Sequence, residues 1–357
     1  MSAFDRRSFL LGSGAALAIA SAARAHPHKG RWVRLADMLG PAREFAAAPF
    51  YAEHARDPRS DIPEIYNIVV IAGGVAPNPL YNVTDNEPYN VINSVTYYNP
   101  RADRWEQAQR LPEARRKLSL ATHNGLLYAA GGYGPSETTR WVTSDKCWRL
   151  RTISGDWEPI RPLPHPIAEA VCQAFDGRVH IVGGRAPFGS RNEIRRDQIE
   201  TAQHWAYDWR DDTWIKRASM PTSRSGAASA VYKGFLHVIG GRSDGSGDLS
   251  THEVYDPLAD RWSSAADLPR KRSDLAAAAI GDSICVFGGA HVNDPHESFA
   301  DVWLYDPRGD KWSAATRMCV PRSGAAAVSL KSDESIYVAG GAVDGEASQA
   351  LFRFTLV

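Results

Sequence analysis

The sequence predicts an all-β protein, a six-bladed β-propeller, and three repeated features support this prediction. The first is a Gly-Gly pair that ends a short apolar run and occurs six times, beginning at Gly73, Gly131, Gly183, Gly240, Gly288 and Gly340. The second is an aromatic strand, a turn and a tryptophan, as in Tyr255-Asp256-Pro257 followed by Trp262. The third is a Leu-Pro or Met-Pro step before an alanine-rich run such as residues 276–279. A repeat of about 50 residues is typical of propeller blades.

Each part of the repeat predicts one local structure. Apolar, β-branched runs that end in glycine predict buried strands followed by tight turns. Asp-Pro predicts a turn, because proline fixes φ and the aspartate side chain bonds to its own backbone. Alanine-rich strands suit the crowded positions around a central axis. We label the four strands of each repeat a to d, from the axis to the rim.

The two ends of the chain are predicted to complete one blade together. The sixth repeat ends at residues 351–354 without a tryptophan strand, while Trp32 stands alone near the N-terminus. The segment around Trp32 is therefore expected to supply the outer strand of the last blade, so that the ring over residues 31–357 seals its own edges. Six tryptophans are predicted to pack between blades, with a sugar-stacking platform as the alternative: Trp32, Trp105, Trp157, Trp214, Trp262 and Trp312.

The order of di-glycine, aromatic strand and spaced tryptophan resembles the kelch repeat over nearly all of residues 31–357. This resemblance implies that the b–c loops and the d–a loops share one face, which we call the loop face. The b–c loops are long, and they cover residues 75–93, 133–143, 185–201, 242–251, 290–300 and 342–349. Long loops on a rigid scaffold usually carry binding function.

Residues 1–25 are predicted to be an export signal, followed by a short segment at residues 26–30. Asp5-Arg6-Arg7-Ser8-Phe9-Leu10 resembles a twin-arginine signal, and Ala23-Arg24-Ala25 offers a cleavage site. An ordinary secretory signal that contains two arginines is the alternative. The mature protein is expected to be soluble and either periplasmic or secreted.

The charge balance disfavours two classes of partner. The chain has 41 basic and 41 acidic residues, which indicates neither a nucleic-acid-binding face nor membrane attachment after signal cleavage. A monomer is expected. Disulfide pairing is left open, because none of the four cysteines forms a Cys-x-x-Cys pair. They are Cys147, Cys172, Cys285 and Cys319.

Arginine recurs at the start of strand a. The positions are Arg43, Arg115, Arg224, Arg272 and Arg322, whereas the third blade has Ile167. Since strand a lines the channel, these side chains are predicted to point at its mouth and, together with Arg185, to bind an anion through bidentate contacts. The alternative is that each arginine pairs with a nearby carboxylate and staples the blades together. The candidate carboxylates are Asp244, Asp248, Glu253, Asp274, Asp301 and Asp344.

One b–c loop contains residues of the types that bind metals. They are His291, Asp294, His296 and Glu297. Such a set could hold a divalent cation, but its spacing matches no ligand signature, and a hydrated loop is the alternative. No metal and no cofactor is therefore predicted.

These features predict a binding protein for a small anionic molecule, such as a sugar acid, or for an acidic segment of a partner protein, at the channel mouth. One alternative is a sugar mutarotase or epimerase, because the plan is similar to that of the six-bladed sialic acid mutarotases. That resemblance implies a sialic-acid-like substrate and matches Arg191 to the family's arginine. Arg185 replaces the family's glutamate, so Glu169 or Glu193 would have to act as acid or base. A protein-interaction scaffold is the other alternative.

Overall fold

The computed structural model describes residues 30–52, 66–80, 88–135, 141–330 and 333–357. These residues form strands, turns and loops, apart from a short 3-10 helix at Arg195–Asp197. The predicted export signal at residues 1–25, and residues 26–29 after it, lie outside the described part of the chain. Within that part, no helix combines the length and apolar character that a membrane span requires.

Six four-stranded antiparallel sheets form the blades, and their strands run in the order a to d. Blade 1 contains Ala46–Ala52, Tyr66–Ala72, Val95–Asn99 and Arg104–Gln107. Blade 2 contains Ser119–His123, Leu126–Ala130, Cys147–Leu150 and Glu158–Ile160. Blade 3 contains Val171–Phe175, Arg178–Val182, His204–Asp208 and Thr213–Lys216. Blade 4 contains Ala228–Tyr232, Phe235–Ile239, His252–Asp256 and Arg261–Ser264. Blade 5 contains Ala276–Ile280, Ser283–Phe287, Val302–Asp306 and Lys311–Ala314. Blade 6 contains Ala326–Leu330, Ser335–Ala339, Leu351–Thr355 and Arg31–Arg34.

Every b–c loop begins and ends in a short two-stranded hairpin. From blade 1 to blade 6 the pairs are Val75–Pro77 with Tyr89–Val91, Tyr133–Gly134 with Val142–Thr143, Arg185–Pro187 with Gln198–Glu200, Arg242–Ser243 with Gly247–Asp248, Ala290–His291 with Asp294–Ser298, and Ala342–Val343 with Glu346–Ala347. These hairpins extend the loop face beyond the ends of the blades.

The ring closes as the sequence predicts. Arg31–Arg34 pairs antiparallel with Leu351–Thr355, and Trp32 lies opposite Phe354. The strands a of neighbouring blades contact one another all the way around, including those of blades 6 and 1. The first and last segments of the propeller therefore share one sheet, which gives the last blade four strands like the others.

The six predicted tryptophans pack between blades. Each indole N–H donates to a backbone carbonyl in the chain that leads into its own blade or leaves the preceding one. The acceptors are Thr316 for Trp32, Ala36 for Trp105, Gln109 for Trp157, Arg161 for Trp214, Ala218 for Trp262 and Ala266 for Trp312, at 2.8–3.0 Å. Each indole also lies in or against the apolar cluster between its own blade and the preceding one, so the packing interpretation is confirmed over the sugar-stacking platform.

The core lies at the interfaces between blades. Between blades 1 and 2, for example, Phe50 and Val70 share a buried cluster with Leu127 and Trp148. The Gly-Gly pairs hold the same interfaces through their backbone. Gly288 has a φ of +57°, and a methyl group there would overlap the carbonyl oxygen of Arg322 in the next blade. The repeat therefore requires glycine both for its left-handed backbone and for this close approach.

Two buried histidine pairs occupy equivalent positions in strands b and c of blades 3 and 4. Nδ1 of His180 lies 2.9 Å from Nε2 of His204, and Nδ1 of His237 lies 2.9 Å from Nε2 of His252. The outer histidine of each pair packs against a tyrosine and a tryptophan of the next blade. Burial lowers the pKa of His180 to about 2, of His237 to about 3, and of His204 and His252 to about 4. All four rings are therefore neutral at neutral pH.

Candidate functional site

Backbone pairing fixes the register of the residues that start strand a. One residue of each d–a loop pairs with the first residue of the b–c hairpin in its own blade. These residues are Arg43, Arg116, Ala168, Ser225, Ser273 and Ser323. The residues just before them are Ala42, Arg115, Ile167, Arg224, Arg272 and Arg322. Arg43 therefore lies one position later than the other four predicted arginines, and its placement in their set is corrected.

The predicted arginine ring does not face the channel. The side chains of Arg224 and Arg272 are 0% exposed. Arg224 pairs with Glu253 at 2.7 Å and also donates to the Thr251 carbonyl. Burial lowers the pKa of both arginines to about 10, so both stay charged at neutral pH. The prediction that these guanidinium groups point at the mouth is therefore corrected.

The remaining arginines of the set also bond to their own surroundings. Arg272 donates to the Gly288 carbonyl at 3.0 Å and lies 3.5 Å from Asp301. Arg322 donates to the Gly340 carbonyl at 2.8 Å. Arg115 bonds to Glu113 and to the Ser144 hydroxyl. These contacts resemble the stapling alternative, except that the arginine side chains join strands and loops of one blade rather than two blades.

Arg43 lies on the loop face at the junction of blades 1 and 6. Its guanidinium group donates to the Gly345 carbonyl at 2.6 Å and stacks 4.3 Å above the Tyr89 ring. The Tyr89 hydroxyl donates to Glu346 at 2.9 Å. Arg43 thus joins the first and last blades at the position where the chain closes the ring.

A ring of residues with left-handed backbone surrounds the axis at the loop face. It consists of the residues that follow the paired positions, namely Glu44, Lys117, Glu169, Gly226, Asp274 and Gly324, all with φ between 51° and 59°. Each backbone N–H from Lys117 onward donates to the carbonyl of the ring member in the preceding blade, at 2.7–3.3 Å. Five successive bonds therefore link all six blades close to the axis.

Three side chains of this ring and two arginines from b–c loops form a charged cluster, which we call the axial ion cluster: Lys117, Glu169, Arg195, Arg242 and Asp274. The Lys117 ammonium lies 2.5 Å from Asp274, three blades away, so this pair crosses the axis. Arg242 comes from the blade 4 hairpin and binds Glu169 and Asp274 at once, the latter at 2.6 Å. Arg195 and the Tyr133 hydroxyl complete the contacts of Glu169, at 3.0 and 3.1 Å.

The charges of this region balance. Outside the cluster, Arg116 binds Glu44 at 2.6 Å. Arg185 binds Glu200 and lies 3.2 Å from Asp244. The described groups thus comprise five cations and five carboxylates, and each cation is bound to at least one carboxylate. Buried charges that are paired and hydrogen-bonded in this way hold the surrounding loops in one arrangement, and removing one partner destabilises the fold.

The electrostatics of the cluster keep its carboxylates ionised. Burial alone would raise the pKa of Glu169, but Arg242, Lys117 and Arg195 outweigh burial and hold the pKa well below its ordinary value. Arg242 and Lys117 likewise outweigh burial at Asp274 and lower its pKa to about 2. A general acid or base works best with a pKa near the operating pH. Glu169 is therefore poorly suited to the acid–base role that the mutarotase alternative requires.

The other candidate catalytic residues lie apart from Glu169. Arg191 is largely exposed on the blade 3 loop, 3.8 Å from Asp197. The Glu193 side chain is exposed as well, and the Glu193 backbone N–H donates to the Asp197 carboxylate. The structure thus brings Glu169 and Arg185 into the region near the axis and leaves Arg191 and Glu193 at the surface of the loop.

The candidate metal ligands do not form a site among the described side chains. Nδ1 of His291 lies 3.1 Å from Asp248. Asp294 accepts from the Glu297 backbone, and Glu297 lies 3.3 Å from Arg270. The His296 side chain lies outside the described residues. In the described part of the chain, no three His, Cys, Asp or Glu side chains gather as metal ligands.

Large exposed apolar side chains concentrate on the loop face. Leu80, Phe188, Ile194, Ile199 and Val292 all lie on b–c loops. Three of them belong to the blade 3 loop, where Phe188 is 64%, Ile194 51% and Ile199 48% exposed. The exposed Arg191 and Arg196 lie on the same loop. Sequence reasoning treated this loop as a source of catalytic residues and missed its apolar surface.

A buried polar framework holds the blade 3 loop in place. Gln198 donates to the Trp141 carbonyl at 2.5 Å, and Asn192 donates to the Thr143 carbonyl at 2.9 Å, both in the blade 2 loop. The Asp197 carboxylate accepts from two backbone N–H groups within the loop. The loop is therefore anchored from beneath while its apolar side chains face outward.

Comparison with known proteins finds similarity to proteins that contain kelch repeats. A family profile described as the KLHDC2/KLHL20/DRC7 Kelch-repeats domain matches residues 188–357. Kelch-like protein terF of Aspergillus terreus is 26% identical over 181 residues, which are 50% of this chain and 37% of that protein. Alpha-scruin of Limulus polyphemus is 24% identical over 159 residues, which are 43% of this chain and 16% of that protein. Kelch-like protein 15 of Danio rerio is 24% identical over 233 residues, or 61% and 33% of the two chains. The chain thus spans less than two fifths of the length of these relatives.

Proposed function

We propose that this kelch-repeat propeller is a protein-interaction module and that a partner protein docks on its loop face, with the blade 3 loop as the main contact. The observation that supports the proposal is the anchored loop that exposes Phe188, Ile194 and Ile199. Exposed apolar groups in one place usually mark an interaction surface. The kelch-repeat relatives favour the same class of function.

The charges around these apolar groups indicate the chemistry of the partner. The side chain of Arg191 is largely exposed, and those of Arg195 and Arg196 reach solvent beside it. Glu193 is the acidic side chain exposed among them. A partner segment that carries apolar side chains flanked by carboxylates would complement this surface in both shape and charge.

The axial ion cluster supports a protein partner over a free small anion. Its cations already bind carboxylates of this chain, so an incoming anion would have to displace Glu169 or Asp274. Displacement would leave a carboxylate buried without its partner, which costs several kcal/mol. The blade 3 loop, in contrast, offers contact area without breaking any ion pair of the cluster.

The proposal predicts that partner binding depends on Phe188. A photo-crosslinking phenylalanine analogue at position 188 is expected to crosslink one partner in cells. The variant Ile194→Ser/Ile199→Ser is expected to weaken that crosslink at least about tenfold, because hot-spot truncations in interfaces cost more than about 1–2 kcal/mol. Since both isoleucines are exposed, folding should be unaffected, and thermal unfolding checks this.

A matched control exists on the opposite face. Leu258, which is 92% exposed, lies in a c–d turn, and Phe235 follows an a–b turn. The analogue placed at position 258 should not crosslink the same partner, and Phe235→Ser should leave the crosslink from position 188 unchanged. Equal crosslinking from positions 188 and 258, or a crosslink indifferent to Ile194→Ser/Ile199→Ser, would show that the blade 3 loop is not the docking surface.

A further inference from the structure

The central channel is a cavity of about 580 Å³ bounded by strands a of all six blades. Three successive residues of each strand a line it. Alternate positions form two tiers, and between the tiers lie Ala48, Ala121, Gln173, Ala230, Ala278 and Val328. The tier nearer the loop face consists of Ala47, Leu120, Cys172, Ser229, Ala277 and Ala327. The next tier consists of Pro49, Thr122, Ala174, Val231, Ala279 and Ser329. Small side chains at most of these positions leave the space open.

The residues that line the cavity include none of the ring at the loop face. At that end, backbone bonds join the ring residues around the axis, and the pair formed by Lys117 and Asp274 crosses it. The other end is lined by Tyr51 and by residues 123–125 of an a–b turn, so it opens on the face opposite to the loop face. There it meets a second cavity of about 360 Å³ between the a–b turns of blades 4, 5 and 6.

The lining of the channel carries no formal charge at neutral pH. Among the described residues that line the 580 Å³ cavity, none is Asp, Glu, Lys or Arg. Its polar groups are hydroxyls, amides, the Cys172 thiol and the His123 ring, whose pKa burial lowers. The Thr122 hydroxyl donates to the Pro49 carbonyl, which leaves its oxygen as an acceptor. The Gln173 amide donates to Ser229 at 3.1–3.2 Å. An ion entering this space would lose hydration without gaining a counter-charge.

We propose that the channel binds uncharged small organic molecules that combine an apolar body with hydroxyl groups, and that they enter from the face opposite to the loop face. The alanines, Leu120 and Val231 contact the apolar body. Thr122, Ser229, Ser329 and Gln173 bond to the hydroxyl groups. The volume matches that of ordinary small-molecule sites, which enclose about 300–1,000 Å³. This site is independent of the proposed docking surface, because the axial ion cluster lies between the two.

Cys172 provides a reporter inside the channel, and Cys319 provides an internal control. Cys172 lines the inner tier, while Cys319 is exposed at the surface. Methyl methanethiosulfonate is a neutral reagent. A cysteine thiolate attacks its sulfenyl sulfur, so that a disulfide forms and methanesulfinate leaves. The sulfonatoethyl and trimethylammonioethyl analogues perform the same reaction with a negative or a positive charge.

The first measurement compares the labelling rates of the two cysteines by mass spectrometry of the folded, full-length protein. The ratio of the Cys172 rate to the Cys319 rate is expected to be at least about tenfold higher for the neutral reagent than for either charged one, because a charge must be desolvated to reach Cys172. Equal ratios for the three reagents would overturn the proposal. The rates are measured at about pH 9, because burial raises the pKa of the Cys172 thiol to about 12 and leaves little thiolate at neutral pH.

The second measurement tests binding with probes of equal ring size. Cyclohexanol is expected to slow the neutral labelling of Cys172 in a saturable way and to leave Cys319 unchanged, whereas cyclohexanecarboxylate should slow neither. Ala279→Phe, which fills the second tier, should abolish the protection, and circular dichroism confirms that the variant is folded. Labelling of Cys172 that is indifferent to cyclohexanol, or equal protection by the carboxylate, would overturn the proposal.

Discussion

Replacing Glu169 by alanine is expected to lower the free energy of unfolding by about 3–5 kcal/mol, the usual cost of removing one partner of a buried ion pair. The side chain is 2% exposed and binds Arg195 and Arg242, with Lys117 close by. In the alanine variant, these three cations would stay in this buried region, and Asp274 would be the remaining carboxylate of the cluster. Urea unfolding at neutral pH, followed by tryptophan fluorescence, measures the change.

Two further variants show whether the loss of stability comes from the buried charge of Glu169. Glu169→Gln keeps the shape of the side chain and removes its charge, so it should be nearly as destabilising as alanine. Glu193→Ala removes an exposed glutamate from the neighbouring loop and should change stability by less than about 0.5 kcal/mol. If Glu169→Gln were as stable as the natural protein, the axial ion cluster would not hold the blades, and a catalytic role for Glu169 would regain support.

Lowering the pH from about 7.5 to about 5 is expected to remove up to about 8 kcal/mol of stability, because four histidines are buried in the neutral form. Their ordinary pKa is about 6.5, and burial lowers it to about 2 to 4 in the folded protein. Between these values the unfolded chain binds protons that the folded chain does not. The stabilisation is therefore complete above about pH 6.5 and is lost as the pH falls, by about 2 kcal/mol per histidine at pH 5.

Variants of one histidine pair isolate this effect. His237→Gln/His252→Gln removes two of the four titrating groups, so the stability difference between the two pH values should fall to about half. His165→Gln changes a histidine outside both pairs and serves as the control. Urea midpoints at each pH give the differences. Equal pH dependence in the natural protein and the double variant would mean that the histidine pairs do not set the acid sensitivity.

The fold could be predicted because its determinants are local and repeated. Each Gly-Gly pair and each spaced tryptophan has one role in every blade, so Trp32 alone sufficed to locate the closing strand. The register of Arg43 could not be read in the same way. Blade 1 has an arginine near the position of interest, and blade 2 has one at that position and another directly after it. The backbone pairing of Arg43 with Val75 and of Arg116 with Tyr133 shows that Arg43 is equivalent to Arg116 and not to Arg115.

The axial ion cluster could not be predicted because equivalent positions carry unlike residues. Lys117, Glu169 and Asp274 follow the same paired position in three blades, yet they share neither charge nor size. Aligning the repeats on that position would have brought them together. Their pairing across the axis, and the reach of Arg242 from a loop, depend on side-chain directions that a repeat pattern does not contain.

The cations near the axis are bound by this chain's own carboxylates, and thermal unfolding in the presence of a sugar acid tests whether they can still bind an anion. A ligand that binds the folded state raises its stability by about 2.7 kcal/mol at a hundredfold excess over its dissociation constant. N-acetylneuraminate at millimolar concentration is predicted to leave the melting temperature equal to that in sodium chloride of the same ionic strength. A saturable rise in melting temperature that Arg242→Ala abolishes would show that the cations near the axis bind a sugar acid.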